Sequence, residues 1–260
     1  MPSNTQSKLA EDQFMSRLED NLMALPGIGV LEKAERIAEL RKLTRGQMLR
    51  TELEAKFPLG RSLSAQGGRS KTGLFAKAAD PVTLAARVVL HLERLVETDA
   101  DDEPISLMEL NPLLNSEKEL AQRYQRMSVL GLFSPTGWSD DAKTYIANDP
   151  PGSGWASEHV HPILIGPQVT RLQWDHHNER VQPYTETFCG LTLQERKKVC
   201  HDRLERAILV QEFAGLQAIA DETGFSQDFV REVARDMASD DKRLTVKKVS
   251  GVGWVVKKAL

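Results

Sequence analysis

Two cysteines, Cys189 and Cys200, are all that the 260 residues contain. That is too few for a disulfide framework, so reduced thiols are expected. Aromatic residues make up only 6% of the chain, while charged residues reach 27% and hydrophobic ones 40%, the balance of an ordinary globular protein rather than a disordered one. The longest apolar stretches, "AARVVLHL" and "RAILVQEFAGLQAIA", are broken by polar residues well short of a membrane span. The opening "MPSNTQSKLAEDQ" lacks a basic start followed by an apolar core, so no secretory signal is expected and the cytoplasm is the predicted compartment. A nucleotide-binding P-loop is missing too. In "GGRSKTG" the glycine required before Lys71 is Ser70, and Ala65 stands at the first glycine position.

Charge is plentiful and unevenly placed. The net value of −3 excludes a uniformly basic coat, yet nine basic residues stand against Glu52 and Glu54 between Arg41 and Lys77. From Glu93 to Glu119 the sign reverses, with nine acidic residues against Arg94 and Lys118. The stretch Lys242 to Lys258 carries six basic residues and no acidic one. Such segregation predicts contact with a polyanion at two places.

Periodicity predicts a mainly α, multi-module chain. Phe14, Leu18, Leu22 and Leu25 recur at helical spacing up to Pro26, and Leu31, Ala34, Ile37 and Ala38 suggest a second helix, giving a helical module over 10–56. Residues 57–79, rich in glycine and serine with Arg61, Arg69 and Lys71, read as a basic flexible linker. "DPVTLAARVVLHLERLVE" then reads as a helix with Asp80 as N-cap and Pro81 at its first position. It opens a second winged-helix-like module over 80–148, with a helix-turn-helix in "LMELNPLLNSEKELAQRYQRM", Ser116 capping its last helix, and "VLGLFSPTGWSDDAKTYI" as a degraded wing. Residues 149–190 suggest short strands and loops, and helix returns over 191–260.

"LPGIGVLEKAERI" resembles the helix-hairpin-helix motif of DNA repair and replication proteins. The resemblance implies that Gly27 and Gly29 let the backbone turn tightly and approach a phosphate, which the next helix N-terminus and Lys33 attract. "LERAILVQEFAGLQAIADETGFSQDFVREVARDMASDDKRLTVKKVSGVGWVVKKAL" resembles a winged helix-turn-helix domain. Three helices are followed by "RLTVKKV", "SGVG" and "WVVKK" as strand, turn and strand. The resemblance implies that Arg231 and Arg235 on the third helix face DNA, and that Lys242, Arg243, Lys247 and Lys248 bring a basic wing to the backbone.

These features predict a non-enzymatic DNA-binding protein, with no cofactor, acting beside other protein subunits or a second copy of itself in a replication, repair, mobile-element or defence complex. Two alternatives stand beside it. One is a protein-binding scaffold subunit built on tandem winged-helix modules. The other is a metal-dependent nuclease using His159, His161, Asp175, His176 and His177, with nitrogen and oxygen ligands suited to a divalent ion. Adjacent histidines on a strand point to opposite faces, which counts against the second alternative.

Overall fold

The computed structural model describes residues 1–24, 28–34, 41–43, 50–58, 60–67, 82–147, 159–167, 172–174 and 181–258. The chain divides into two compact units, Met1–Gly190 and Leu191–Leu260. Helix and strand are mixed, which corrects the mainly α expectation: the first unit carries a six-stranded sheet and the second a three-stranded one.

In the first unit, α1 (Asn4–Met23) starts at a capping box in which Ser3 accepts from the Gln6 N–H and Gln6 answers the Ser3 N–H. The chain then forms β1 (Ile28–Ala34), α2 (Arg50–Lys56), β2 (Ser62–Gly67), β3 (Val82–Val88), α3 (Leu92–Thr98), α4 (Leu107–Tyr124), β4 (Met127–Phe133), α5 (Asp140–Ala147), β5 (Val160–Ile165), β6 (Leu172–Gln173) and α6 (Gln182–Thr185). The strands lie in the order β1-β2-β3-β4-β5-β6. β3, β4 and β5 are mutually parallel, joined by helical crossovers, while β1/β2, β2/β3 and β5/β6 are antiparallel.

Helices cover both faces of this sheet. Val82, Leu84, Ala86 and Val88 of β3 and Met127, Val129 and Phe133 of β4 share one core with Phe14, Leu18 and Leu22 of α1. Phe14 stacks on Phe133 with centroids 4.4 Å apart. Ala85 and Val89, with Leu130 and Leu132, form the opposite core with Leu110 and Leu114 of α4 and Ala142 and Ile146 of α5.

Burial on both faces explains the largest corrections. A strand covered on both sides is largely apolar, and in "VTLAARVV" only Thr83 and Arg87 interrupt the apolar residues, so the period-2 signal is weak and the segment mimics helix. The expected helix over 80–97 is β3 followed by the shorter α3, and the Asp80 and Pro81 cap lies outside the described residues. The expected wing is instead most of β4, whose seven residues are all buried, followed by a turn and α5. The expected helix-turn-helix is the single helix α4, which runs through Pro112 and is capped by Ser106 rather than Ser116. Its buried stripe of Leu110, Leu114, Glu117 and Ala121 seats it on the sheet. Residues 82–147 are therefore a β-α-α-β-α stretch that supplies two strands of one sheet, where a second winged-helix-like module was expected over 80–148, and β5 and β6 extend that sheet rather than separating modules.

The second unit runs α7 (Leu193–Gln211), β7 (Phe213–Gly215), α8 (Leu216–Thr223), α9 (Gln227–Asp240), β8 (Leu244–Val249) and β9 (Gly253–Lys258). Local signals place three of its helix ends. Thr192 and Glu195 form a capping box at α7, Gly224 ends α8 in the left-handed region, and Ser226 accepts from the Phe229 N–H to start α9. β7, β9 and β8 pair antiparallel in that order. Leu204, Ile208, Leu216, Phe229, Val230, Val233 and Val256 are buried in this unit.

Candidate nucleic-acid interface

Three of the expected phosphate ligands fall on the hairpin-like stretch. Gly27 lies outside the described residues, while Gly29 and Lys33 lie on β1. The expected second helix is thus a strand over Ile28–Ala34, paired antiparallel with β2 through Leu31↔Ala65, Lys33↔Leu63 and Ala34↔Ser62. Pairing across strands outweighs the helical spacing of so short a segment, and Gly29 is followed by strand as far as Ala34.

The linker expectation is corrected in the same way. Ser62–Gly67 is β2, and Arg69 and Lys71 lie outside the described residues. Arg61 is committed to the fold: its Nε donates to Glu11 Oε1 at 3.1 Å, and its Nη2 pairs with Asp12. Glu11 is only 1% exposed and also accepts from the Gly60 and Arg61 N–H groups, so Arg61 closes a buried carboxylate site.

The residues of the second unit come together. Asp228, Arg231 and Arg235 recur at three- and four-residue intervals on α9 and so lie along one stripe. Arg231 pairs with Asp228, and the guanidinium groups of Arg231 and Arg235 lie over the Trp254 ring at 5.4 and 5.8 Å from its centroid. Trp254 stands on β9 opposite Lys248 of β8. Two arginines, a tryptophan and a lysine therefore meet where α9 adjoins the β8/β9 hairpin. Lys247 pairs with Val255, and alternation along the strand sends it to the face opposite Lys248.

The acidic residues of α9 are handled on another side. Lys197 of α7 holds both Glu232 Oε1 and Asp236 Oδ2 at 3.2 Å. Hydrogen bonds to Asp236 and Glu232 raise the Lys197 pKa, so the ammonium persists through the physiological range. At the start of the hairpin, Lys242 is exposed, and Arg243, with a side chain 86% exposed, is held by Asp241 through Nε and Nη2 at 3.0 and 2.9 Å. These hydrogen bonds raise the Arg243 pKa and lower that of Asp241. The hairpin turns at Gly251, whose φ of +78° is a conformation that side chains resist.

The proposed metal ligands are not assembled by the described residues. His161 is buried on β5 and His159 precedes that strand, whereas Asp175, His176 and His177 lie outside the described residues. A different set, His201, Asp202 and Glu205, brings ligand atoms within 4.8 Å of one another on an exposed part of α7. Burial pushes the Cys200 thiol up to about 12, which removes it as a thiolate ligand at neutral pH.

Sequence reading missed Trp254 and Lys197. The aromatic residue directly after "SGVG" was the available signal for the first. The second needed the packing of α7 against α9. No family model, curated protein or solved structure matches the chain.

Proposed function

We propose that the protein is a non-enzymatic DNA-binding protein whose Leu191–Leu260 unit acts as a winged helix-turn-helix, with α9 entering the major groove and the β8/β9 hairpin following the backbone. The order of helices and strands and the β7-β9-β8 sheet support the winged-helix reading. One observation carries the function: Arg231, Arg235 and Lys248 gather around Trp254, while Lys197 engages Glu232 and Asp236. The helix thus offers a cationic stripe, with part of its acidic charge neutralised. A replication, repair, mobile-element or defence complex is the proposed setting.

Binding through Lys and Arg releases counterions, so affinity must fall as salt rises. Fluorescence anisotropy with two unrelated duplexes, at several salt concentrations, tests the reading. Replacing Lys247 and Lys248 together with alanine is expected to weaken both complexes alike and to lower the salt slope by roughly two phosphate contacts' worth. An intact protein that binds neither duplex at low salt would overturn the reading. The scaffold alternative draws support from Leu209, Val210 and Phe213, apolar side chains exposed on α7 and β7. Their replacement by serine should leave DNA binding intact if they serve a protein partner.

A further inference from the structure

Along α7, Lys197, His201, Glu205 and Ile208 recur at intervals of three and four residues and so share one stripe. Glu232, Asp236 and Asp240 recur every four residues on α9. Where the two stripes first meet, Lys197 holds Glu232 and Asp236 at 3.2 Å. One turn further along both helices the pattern changes. A cleft of about 620 Å³ opens there, with His201 and Glu205 in one wall and Asp240 in the lining contributed by α9. Among the described residues no ion pair engages Glu205 or Asp240.

His201, Asp202 and Glu205 each bring one ligand atom within 4.8 Å of the others, and His201 Nδ1 lies 3.9 Å from Asp202 Oδ1. Ligands about 2.0–2.1 Å from a tetrahedral ion stand roughly 3.4 Å apart. Closing to that spacing requires only side-chain rotation. The side chains of His201 and Asp202 are 50% and 62% exposed, and Glu205 is exposed as well, so no packing has to be broken.

Charge favours a cation at this place. Glu205, Asp240 and Asp241 line the cleft together with Arg243 and Lys258, and Asp202 adds a fourth carboxylate beside His201. Arg243 is held by Asp241, so that pair cancels. Lys258 is left against the three carboxylates of Asp202, Glu205 and Asp240. The donor set then selects the kind of ion. One imidazole nitrogen with carboxylate oxygens suits Zn²⁺ and its first-row neighbours, whereas Ca²⁺ takes an all-oxygen shell and Mg²⁺ keeps much of its water.

We propose that His201, Asp202 and Glu205 bind a divalent transition-metal ion of the Zn²⁺ type, with its fourth coordination position open to the cleft. Three protein ligands leave that position for water or an anionic group. Ile208 and Met237, both buried, give the cleft an apolar lining next to it. The site does not depend on the DNA-binding reading, which draws on other residues of this unit.

Isothermal titration of Zn²⁺ into the full chain, first cleared of metal with a chelator, measures stoichiometry and affinity. Amide NMR with paramagnetic Co²⁺ in place of Zn²⁺ locates the ion. The expected result is saturable binding at micromolar Zn²⁺ that survives excess Mg²⁺, with paramagnetic shifts centred on His201 to Glu205 and extending to Asp240. His201→Gln and Glu205→Gln each remove one ligand from an exposed helix face. Either should weaken binding by more than about tenfold, the lower end of what loss of a mere outer-shell partner costs. The same amide spectra show whether each variant keeps its fold. No saturable Zn²⁺ binding, Co²⁺ shifts centred elsewhere in the chain, or shifts around His201 that persist unchanged in both variants would overturn the site. No nucleic acid is present in either measurement, so a failure of DNA binding leaves the result unaffected.

Discussion

A Cβ added to Gly131 would lie 2.2 Å from Cδ1 of Phe188. Gly131 sits in the middle of β4, the central parallel strand, and Phe188 is fully buried against it. The ring occupies the space that any side chain on this strand position would need.

Gly131→Ala should therefore destabilise the first unit by about 3 kcal/mol through overpacking. Thermal unfolding of the variant measures the loss. Adding Phe188→Leu should recover part of it, because a smaller side chain makes room for the methyl group. Equal stabilities for Gly131→Ala and the wild-type protein would mean that Phe188 can move aside without cost.

Glu11→Ala removes the acceptor shared by the Gly60 N–H, the Arg61 N–H and Arg61 Nε. Leaving these donors without their carboxylate should cost about 2 kcal/mol, and Glu11→Gln should cost less because one oxygen remains. Urea denaturation of the two variants gives the order. Arg61→Ala should leave DNA affinity unchanged in a folded protein, since that side chain serves Glu11 and Asp12.

Lys197→Ala releases Glu232 and Asp236, whose carboxylates share α9 with Arg231 and Arg235. DNA affinity at low salt should fall by about threefold although Lys197 itself is on α7, and the difference should fade at high salt. An anisotropy titration at two ionic strengths checks both parts. A loss that persists unchanged at high salt would point to altered packing of α7 on α9 instead.

Cys200 adds a pH dependence of defined sign. Its folded pKa is raised to about 12 by burial, above the ordinary thiol range. From about pH 9 upward the unfolded chain gains a thiolate that the folded chain cannot form, so stability should fall by up to about 1.4 kcal/mol per pH unit. Cys200→Ala should flatten that decline. At pH 8 the thiol should resist a maleimide reagent in the native protein and react promptly in denaturant.

What could be read directly from the residues was local. Gly224, Ser226 and the Thr192/Glu195 pair mark helix ends through hydrogen bonds that span only a few positions, and "SGVG" marks a turn because Gly251 must adopt a positive φ. Such interactions are complete within a short segment, so the three helices and the β8/β9 hairpin of Leu191–Leu260 were legible in order, whereas β7 exists only through its pairing with the distant β9. Tertiary structure decided the rest. "VTLAARVV" and "MSVLGLF" are mostly apolar because helices cover both sides of the sheet, and the two polar residues of the first, Thr83 and Arg87, leave too weak a period to distinguish it from buried helix. The commitment of Arg61 to Glu11, the gathering of Arg231 and Arg235 at the Trp254 ring, and the contacts of His91 with Glu109 and Glu103 depend on residues distant along the chain. Side-chain charge is written in the sequence, but which charges remain available to a ligand is set by the partners that packing brings within hydrogen-bond reach.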